Sequence, residues 1–322
     1  MIIILLLMMV VYTVNSYSFM MMKSMISKDT LDSMSNEISK VTNTKYKAQW
    51  IGGNLGGNAW ATTGVIKNEL SESDKQYFFK AASSMSGITM LQAEFEGVKE
   101  MFNTNTIKVP EPICFGTTDY GGFIILEKLN FGGYSEGESY GKKLAAMHKC
   151  ISSNKKFGWK INNTIGATIQ PNNECDKWAD FWDKYRLGHM LELAKRDGAE
   201  FRNEKELRDK VYSILDAHDC QPSLVHGDLW SGNQGTLLNG EPVIFDPATY
   251  YGDPEVDIAM TFLFGANSKK FYESYWNEMG QKEGYEVRQI IYNLYHILNH
   301  YVLFGGGYLQ QSYNMIDRIL KY

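Results

Sequence analysis

His226-Gly227-Asp228-Leu229-Trp230-Ser231-Gly232-Asn233, followed by Pro242-Val243-Ile244-Phe245 and then Asp246-Pro247-Ala248, is the stretch that points to a chemistry and a fold. Phosphoryl transfer asks little covalent chemistry of a protein. It needs a positioned hydroxyl, a metal ion bridging the phosphates and stabilisation of charge. Asp228 follows the apolar run Ser223-Leu224-Val225, and a carboxylate there can take the proton of an attacking hydroxyl. Asn233 lies five residues on, the gap found in the kinase loop H-R-D-x-x-x-x-N, which makes its amide oxygen a candidate Mg2+ ligand. Asp246, after an apolar strand, stands where the D-F-G aspartate of kinases holds Mg2+ between β- and γ-phosphates. A lone H-x-D is common by chance, whereas the full series is not. The bland alternative makes Asp228 and Asn233 shape a tight turn and Asp246 cap a helix.

Around this core, His226 is expected to hold the loop by hydrogen bonds and to move no proton. Asp253 and Asp257 are expected to support the loop. Pro254 suits the first turn of a helix and Asp253 its N-cap, while Asp257 can turn back to the catalytic loop; simple capping and solvation is the competing reading.

Working towards the N-terminus, a nucleotide side emerges. Gly52-Gly53, opening a glycine-rich run through Trp60, lets backbone N–H groups approach phosphates without obstruction by a Cβ. Alone this is weak. It gains from Lys80, ending the apolar strand Tyr77-Phe78-Phe79, and from Glu94 on the following helix, because a lysine that contacts α/β-phosphates needs a carboxylate to hold it. Glu96 competes, but Glu94 shares the face of Leu91 and Val98. Glu127 closes the strand Gly122-Phe123-Ile124-Ile125-Leu126 where an adenine-binding hinge should begin.

The order of glycine loop, strand with Lys, helix with Glu, then strand predicts a small β-rich N-lobe over residues 29–128. Residues 129–322 turn mainly helical: Ser135-Glu136-Gly137-Glu138 has capping-box spacing ahead of a helix through His148, further helices are expected over 178–196 and 201–217, and Val287, Ile290, Ile291, Leu294, Ile297, Leu298 and Tyr301 mark a long apolar face. The fold class is therefore α+β, a bilobal protein-kinase-like fold with a larger, mainly α-helical C-lobe carrying catalysis and acceptor binding.

A net charge of −5 argues against a nucleic-acid partner, which needs a basic surface. Cys114, Cys150, Cys175 and Cys220 form no C-x-x-C pair and none has a His at metal-ligand spacing, so free thiols are expected. Residues 1–14 are almost wholly apolar, too short a run to span a bilayer, and suit a signal peptide. Phe19 and the acid-poor, lysine-bearing stretch to Lys28 resemble the bipartite presequences of algae with complex plastids. Residues 1–28 are accordingly expected to be a presequence leading to a plastid, with the secretory route as the alternative and no stable membrane span in the mature chain.

The chain resembles the fructosamine kinases, also called ketosamine-3-kinases or protein-ribulosamine 3-kinases. The matching segments include Gly52-Gly53, Phe79-Lys80, Val109-Pro110-Glu111-Pro112, Thr164-Ile165-Gly166, the catalytic loop with Leu229-Trp230-Ser231, and Asp246-Pro247-Ala248-Thr249-Tyr250-Tyr251-Gly252-Asp253. The resemblance implies ATP- and Mg2+-dependent phosphorylation of the sugar 3-hydroxyl of ketosamines, on glycated proteins or as free adducts, with loss of the unstable 3-phosphate releasing the amine. By position it implies Asp228 as base, Asn233 and Asp246 as Mg2+ ligands, and Lys80 with Glu94 as the nucleotide pair. Trp230 is a candidate to stack on the sugar or lysyl stem. The alternatives are a small-molecule hydroxyl kinase of the aminoglycoside or choline kinase type, and a non-catalytic pseudokinase acting as a binding module.

Overall fold

The computed structural model describes residues 26–53, 61–71, 75–119 and 121–322. Residues 1–25 of the presequence expected over 1–28, and the part of the glycine-rich loop at 54–60, lie outside the described residues, whereas Ile26 is buried in the core of the first unit and Ser27 caps its first helix. The chain divides into two compact units. One contains the described residues up to Gln92 together with Pro112–Lys128, and the other contains Ala93–Glu111 and Leu129–Tyr322.

The first unit is one antiparallel sheet with a helix against it. Helix α1 (Lys28–Thr42) starts because the Ser27 hydroxyl accepts the Thr30 N–H, and it stops at Asn43, which takes the left-handed conformation that ends many helices. Its apolar residues recur at helical spacing, so Met34 and Ile38 are fully buried with Leu31 beside them. Strands β1 (Ala48–Gly52), β2 (Thr62–Asn68) and β3 (Gln76–Ala82) precede helix α2 (Met85–Phe102), and β4 (Pro112–Thr118) and β5 (Gly121–Glu127) follow it. The strand order is β1-β2-β3-β5-β4. Alternate positions of these strands, among them Ile66, Phe79, Phe123 and Ile125, meet Met34 and Ile38 in the core. Gly64 is required here: a Cβ would lie 2.8 Å from both Trp50 and Phe79, whose rings meet edge to face.

The second unit is mainly helical. Its helices are α3 (Glu138–His148), α4 (Trp178–Trp182), α5 (Gly188–Arg196), α6 (Glu204–Asp216), α7 (Glu255–Thr261), α8 (Lys269–Met279), α9 (Tyr285–Phe304) and α10 (Tyr308–Lys321). The apolar stripe of α9 is buried as its spacing requires, with Ile291, Leu294, Ile297 and Leu298 fully enclosed beside Trp178, Phe181 and Trp182. Short antiparallel pairs interrupt the helices: β6 (Asn163–Ile165) with β7 (Thr168–Gln170), β8 (Ser223–Val225) with β11 (Tyr250–Gly252), and β9 (Gln234–Thr236) with β10 (Pro242–Ile244). The α+β fold class expected from the sequence is the one observed, with one sheet in the first unit and mainly helices in the second. Among the described residues no helix is long and apolar enough to cross a membrane.

Three local expectations are corrected. The capping box at residues 135–138 does not form. Helix α3 starts at Glu138 behind Gly137, which has φ 94° and no side-chain cap, because Gly137 packs where a Cβ would sit 2.2 Å from Ser268 Oγ. The helix expected over 178–196 is broken by a π-helical turn at Asp183–Leu187, where Gly188 N–H reaches back to Asp183 O. The helix expected from residue 201 starts at Glu204, since Phe201 instead packs edge-on against Tyr313.

Candidate active site

The chemistry-bearing residues sit in the second unit, on loops between short strands. The loop from His226 to Asn233 connects β8 to β9, and Asp246 lies between β10 and β11. Asn233 and Asp228 meet directly: Asn233 Nδ2 donates to Asp228 Oδ2 at 3.0 Å and to Asp228 O at 2.9 Å, with Asp246 O 3.4 Å away. With its Nδ2 committed in this way, the acceptor atom of the Asn233 amide is Oδ1. Phe245 N donates to Asn233 O at 3.0 Å, so the strand leading to Asp246 is stitched to the end of the His226–Asn233 loop. Asp246 itself has φ 57°, a left-handed conformation that costs a residue with a side chain on the order of 1–3 kcal/mol and clusters at functional sites.

The loop is held from beneath by Asp257 of α7. One carboxylate oxygen accepts His226 N–H at 2.7 Å and the other accepts Gly227 N–H at 2.8 Å. His148 Nε2, fully buried at the end of α3, donates to the same carboxylate at 3.0 Å, and its Nδ1 meets Tyr275 OH at 2.7 Å. Although burial pushes the Asp257 carboxyl up, the His148 hydrogen bond and the charges and N–H groups around it outweigh that and hold it below the usual carboxylate range. Gly227 is obligatory, with φ 81° and a notional Cβ only 2.2 Å from Ala248 O.

His226 is fully enclosed, and its bonds set its tautomer. Asp228 N–H donates to Nδ1 at 3.2 Å, so the ring proton is on Nε2, which donates to Phe245 O at 2.9 Å. Burial pushes its pKa down, against the pull of Asp257. A neutral imidazole with both nitrogens engaged braces the loop. Asp253, on the far side of α7's start, accepts Glu255 N–H at 3.0 Å through Oδ1, as a cap does, and Tyr292 OH at 2.5 Å through Oδ2.

Asp228 is the residue whose electrostatics stand out. Burial pushes its carboxyl up to about 7; the Asn233 hydrogen bond opposes the rise, and the Asp246 and Asp257 carboxylates add to it. Its side chain keeps partial exposure. A carboxylate titrating near neutrality is suited to accepting a proton.

Sequence and structure agree in one more respect. The Fructosamine kinase family profile matches residues 30–322. The chain belongs to this family. It is 47% identical over 78% of its length to a Synechocystis protein named "Probable ketoamine kinase", covering 85% of that protein. It is 41% identical over 78% of its length to the chloroplastic protein-ribulosamine 3-kinase of Oryza sativa subsp. japonica, covering 74% of it. A fructosamine-3-kinase homologue of known structure from Haemophilus somnus superposes with a TM-score of 0.81 at 28% identity, over 90% of this chain and 97% of that one. The fold is protein-kinase-like.

Within this fructosamine kinase fold, the remaining candidates fall on both units. In the first, Lys80 is 5% exposed on β3, facing Thr63 of β2 and Ile124 of β5 across the sheet. Gly52 and Gly53 have φ 144° and 97°, values that favour glycine, and Glu127 ends β5 opposite Tyr77. In the second, Glu94 lies on the same helix as Glu96 and Glu100, but those two are bound by Lys160 at 2.7 Å and 3.4 Å. The later turns of α2 are anchored next to Asp246, since a Cβ on Gly97 would lie 2.9 Å from Thr249 Oγ1, and Glu100 accepts Tyr251 OH at 2.9 Å.

Trp230 is 38% exposed, with its ring lying over Gly232, where a Cβ would approach to 2.2 Å. Its edge meets Phe264 at 6.3 Å, and Phe264 packs at a tilt against His300 at 4.9 Å. Phe264 and His300 extend the aromatic surface beside the loop and had no sequence signal of their own. The same holds for His148 and Tyr275, visible in the sequence only as positions on helix faces.

Proposed function

We propose that this protein transfers the γ-phosphoryl group of ATP to the sugar 3-hydroxyl of a ketosamine, a ribulosyl or fructosyl adduct of a lysine amine. The observation that carries this reading is the Asp228 carboxyl, set near neutrality beside Asn233 on a loop pinned through Asp257, in a chain of this family. Asp228 takes the hydroxyl proton as the bond from the sugar oxygen to phosphorus forms and ADP departs. Asn233 Oδ1 and the Asp246 carboxylate are hard oxygen donors, the kind Mg2+ prefers, so this pair fits a Mg2+ ion. Bound there, the ion neutralises charge on the phosphates. Lys80, with Glu94 as its carboxylate, serves the α/β-phosphates; Gly52 and Gly53 offer backbone N–H groups; Glu127 opens the adenine hinge. Trp230 stacks on the sugar or on the lysyl stem. Decomposition of the 3-phosphate then frees the amine, and on a glycated protein the outcome is deglycation.

The test is direct. Purified protein, Mg-ATP and a ribulosyl-lysine peptide should yield ADP and a ketosamine 3-phosphate seen by phosphorus NMR. Turnover on choline or an aminoglycoside with none on any ketosamine would overturn the assignment.

A further inference from the structure

His218, Cys220 and Asp253 converge on one point although the sequence shows no zinc motif there. One ligand atom from each, the His218 imidazole nitrogen, the Cys220 Sγ and an Asp253 carboxylate oxygen, all lie within 4.8 Å of one another. His218 and Cys220 sit on the turn between α6 and β8, separated by a single residue. Asp253 comes from the opposite flank of the catalytic loop, just before α7. His218 Nε2 is 3.0 Å from Asp253 Oδ2 and 4.0 Å from Glu255 Oε1, with the His218 side chain 4% exposed and that of Asp253 1%. At these distances Nε2 is buried yet has no hydrogen bond of acceptable geometry. A buried ring nitrogen 3.0 Å from a carboxylate oxygen but without hydrogen-bond geometry, on a residue clustered with a thiol, is a feature that suits a shared ion.

The surroundings suit a metal ion. Asp253 is oriented by the Glu255 N–H on one oxygen and by Tyr292 OH on the other, the type of outer support that metal-binding carboxylates have. Trp178 Nε1 in turn donates to Tyr292 OH at 3.1 Å. The nearby cations are otherwise engaged. Arg288 makes a two-pronged bond with Glu255 at 2.7 Å and 2.8 Å, and Lys282 Nζ donates to Asp219 O. A cavity of about 260 Å3, lined in part by His218, Cys220, Asp253, Trp276 and Lys282, opens beside the three side chains and leaves room for an entering ion and a water ligand.

We propose that His218, Cys220 and Asp253 form a binding site for a borderline-soft divalent ion, Zn2+ by its chemistry, distinct from the Mg2+ pair of the catalytic loop. The ligand set decides the ion: imidazole and thiolate select Zn2+ over Mg2+, which keeps to oxygen. On binding, the Cys220 thiol gives its proton to solvent, and the ion's two positive charges are balanced by the thiolate and the Asp253 carboxylate. A water completes four-coordination. The ion joins the turn entering β8 to the start of α7, whose Asp257 carries the His226 and Gly227 N–H groups, so it clamps both flanks of the catalytic loop.

Metal-free full-length protein titrated with Co2+ tests this without relying on kinase turnover. The expected result is one equivalent of Co2+ producing a thiolate-to-cobalt charge-transfer band that Zn2+ abolishes by displacement and that Cys220→Ser and His218→Gln each eliminate. The oxygen-only Mg2+ pair gives no such band. X-ray absorption of zinc-loaded wild-type protein, which needs no variant, should show one sulfur neighbour at about 2.3 Å with nitrogen and oxygen at about 2.0–2.2 Å. An absent band in the wild type, a band unchanged in Cys220→Ser, or a zinc shell without sulfur overturns the site and leaves a plain His218–Asp253 contact.

Discussion

At Asp228, one carboxyl carries opposite consequences for stability and for chemistry. Its folded-state pKa is raised from 3.8 to about 7. For a carboxyl shifted in that direction, the folded state favours the protonated form, so stability is greatest below the unfolded value and is lost as pH rises towards about 7. Asp228→Asn removes this dependence. Thermal unfolding should therefore show the variant gaining on the wild type between pH 4 and 7 and holding its lead above that. Catalysis runs the other way, since only the ionised form accepts a proton. The acceptor kcat/KM should rise with pH and level off no higher than about 7, because a cation beside Asp228 only favours the carboxylate. In Asp228→Asn, ATP binding should persist while transfer slows by about 10²-fold or more, the usual worth of a general base. A near-normal rate in that variant would mean that another group takes the proton.

Among the elements, α7 matters more than its seven residues suggest, because Asp257 connects it to the catalytic loop. An Asp257→Asn amide keeps the shape but turns an N–H towards backbone donors. Each buried group left unpaired costs about 1–3 kcal/mol, so chemical unfolding should show a loss of about 2–4 kcal/mol. The rate should fall further than ATP affinity does, as the loop and not the nucleotide loses its support. Unchanged stability would argue that His148 and the loop find other partners. Element identity was largely legible in the sequence: the apolar stripe of α9 and the strands β3 and β5 emerge where spacing put them. Element ends were not. Gly137 starts α3 because of its packing against Ser268, far along the chain, and not through any capping box. The π-helical turn interrupts the helical run after Trp182 where Arg186 points into the core, a demand that periodicity in 178–196 does not express.

Across the second unit as a whole, Arg186 is the point where distant segments meet. It is fully buried, with its guanidinium 4.6 Å from the Phe181 ring, 4.1 Å from Tyr250 and 5.7 Å from Tyr295. It also donates to Pro171 O and Asn172 Oδ1, each at 2.7 Å. Lysine keeps the charge but loses the planar stack and the fork, so Arg186→Lys should cost about 2–4 kcal/mol in chemical unfolding. Stability within about 0.5 kcal/mol of wild type would show that the stack contributes little. Nothing in the local sequence marks this arginine, whose partners come from β11, α9 and the segment after β7. The residues that define the proposed chemistry were legible because they fall close together, from His226 to Asp246, where loop spacing alone constrains them. Helices and strands were legible for the same reason: their periodicities act over a few residues. What brings His148 to Asp257 across 109 positions, joins His218 and Cys220 to Asp253, and sets the Asp228 carboxyl near neutrality is burial among packed elements. Such contacts and such desolvation exist only once the chain has closed on itself, so no window of sequence contains them.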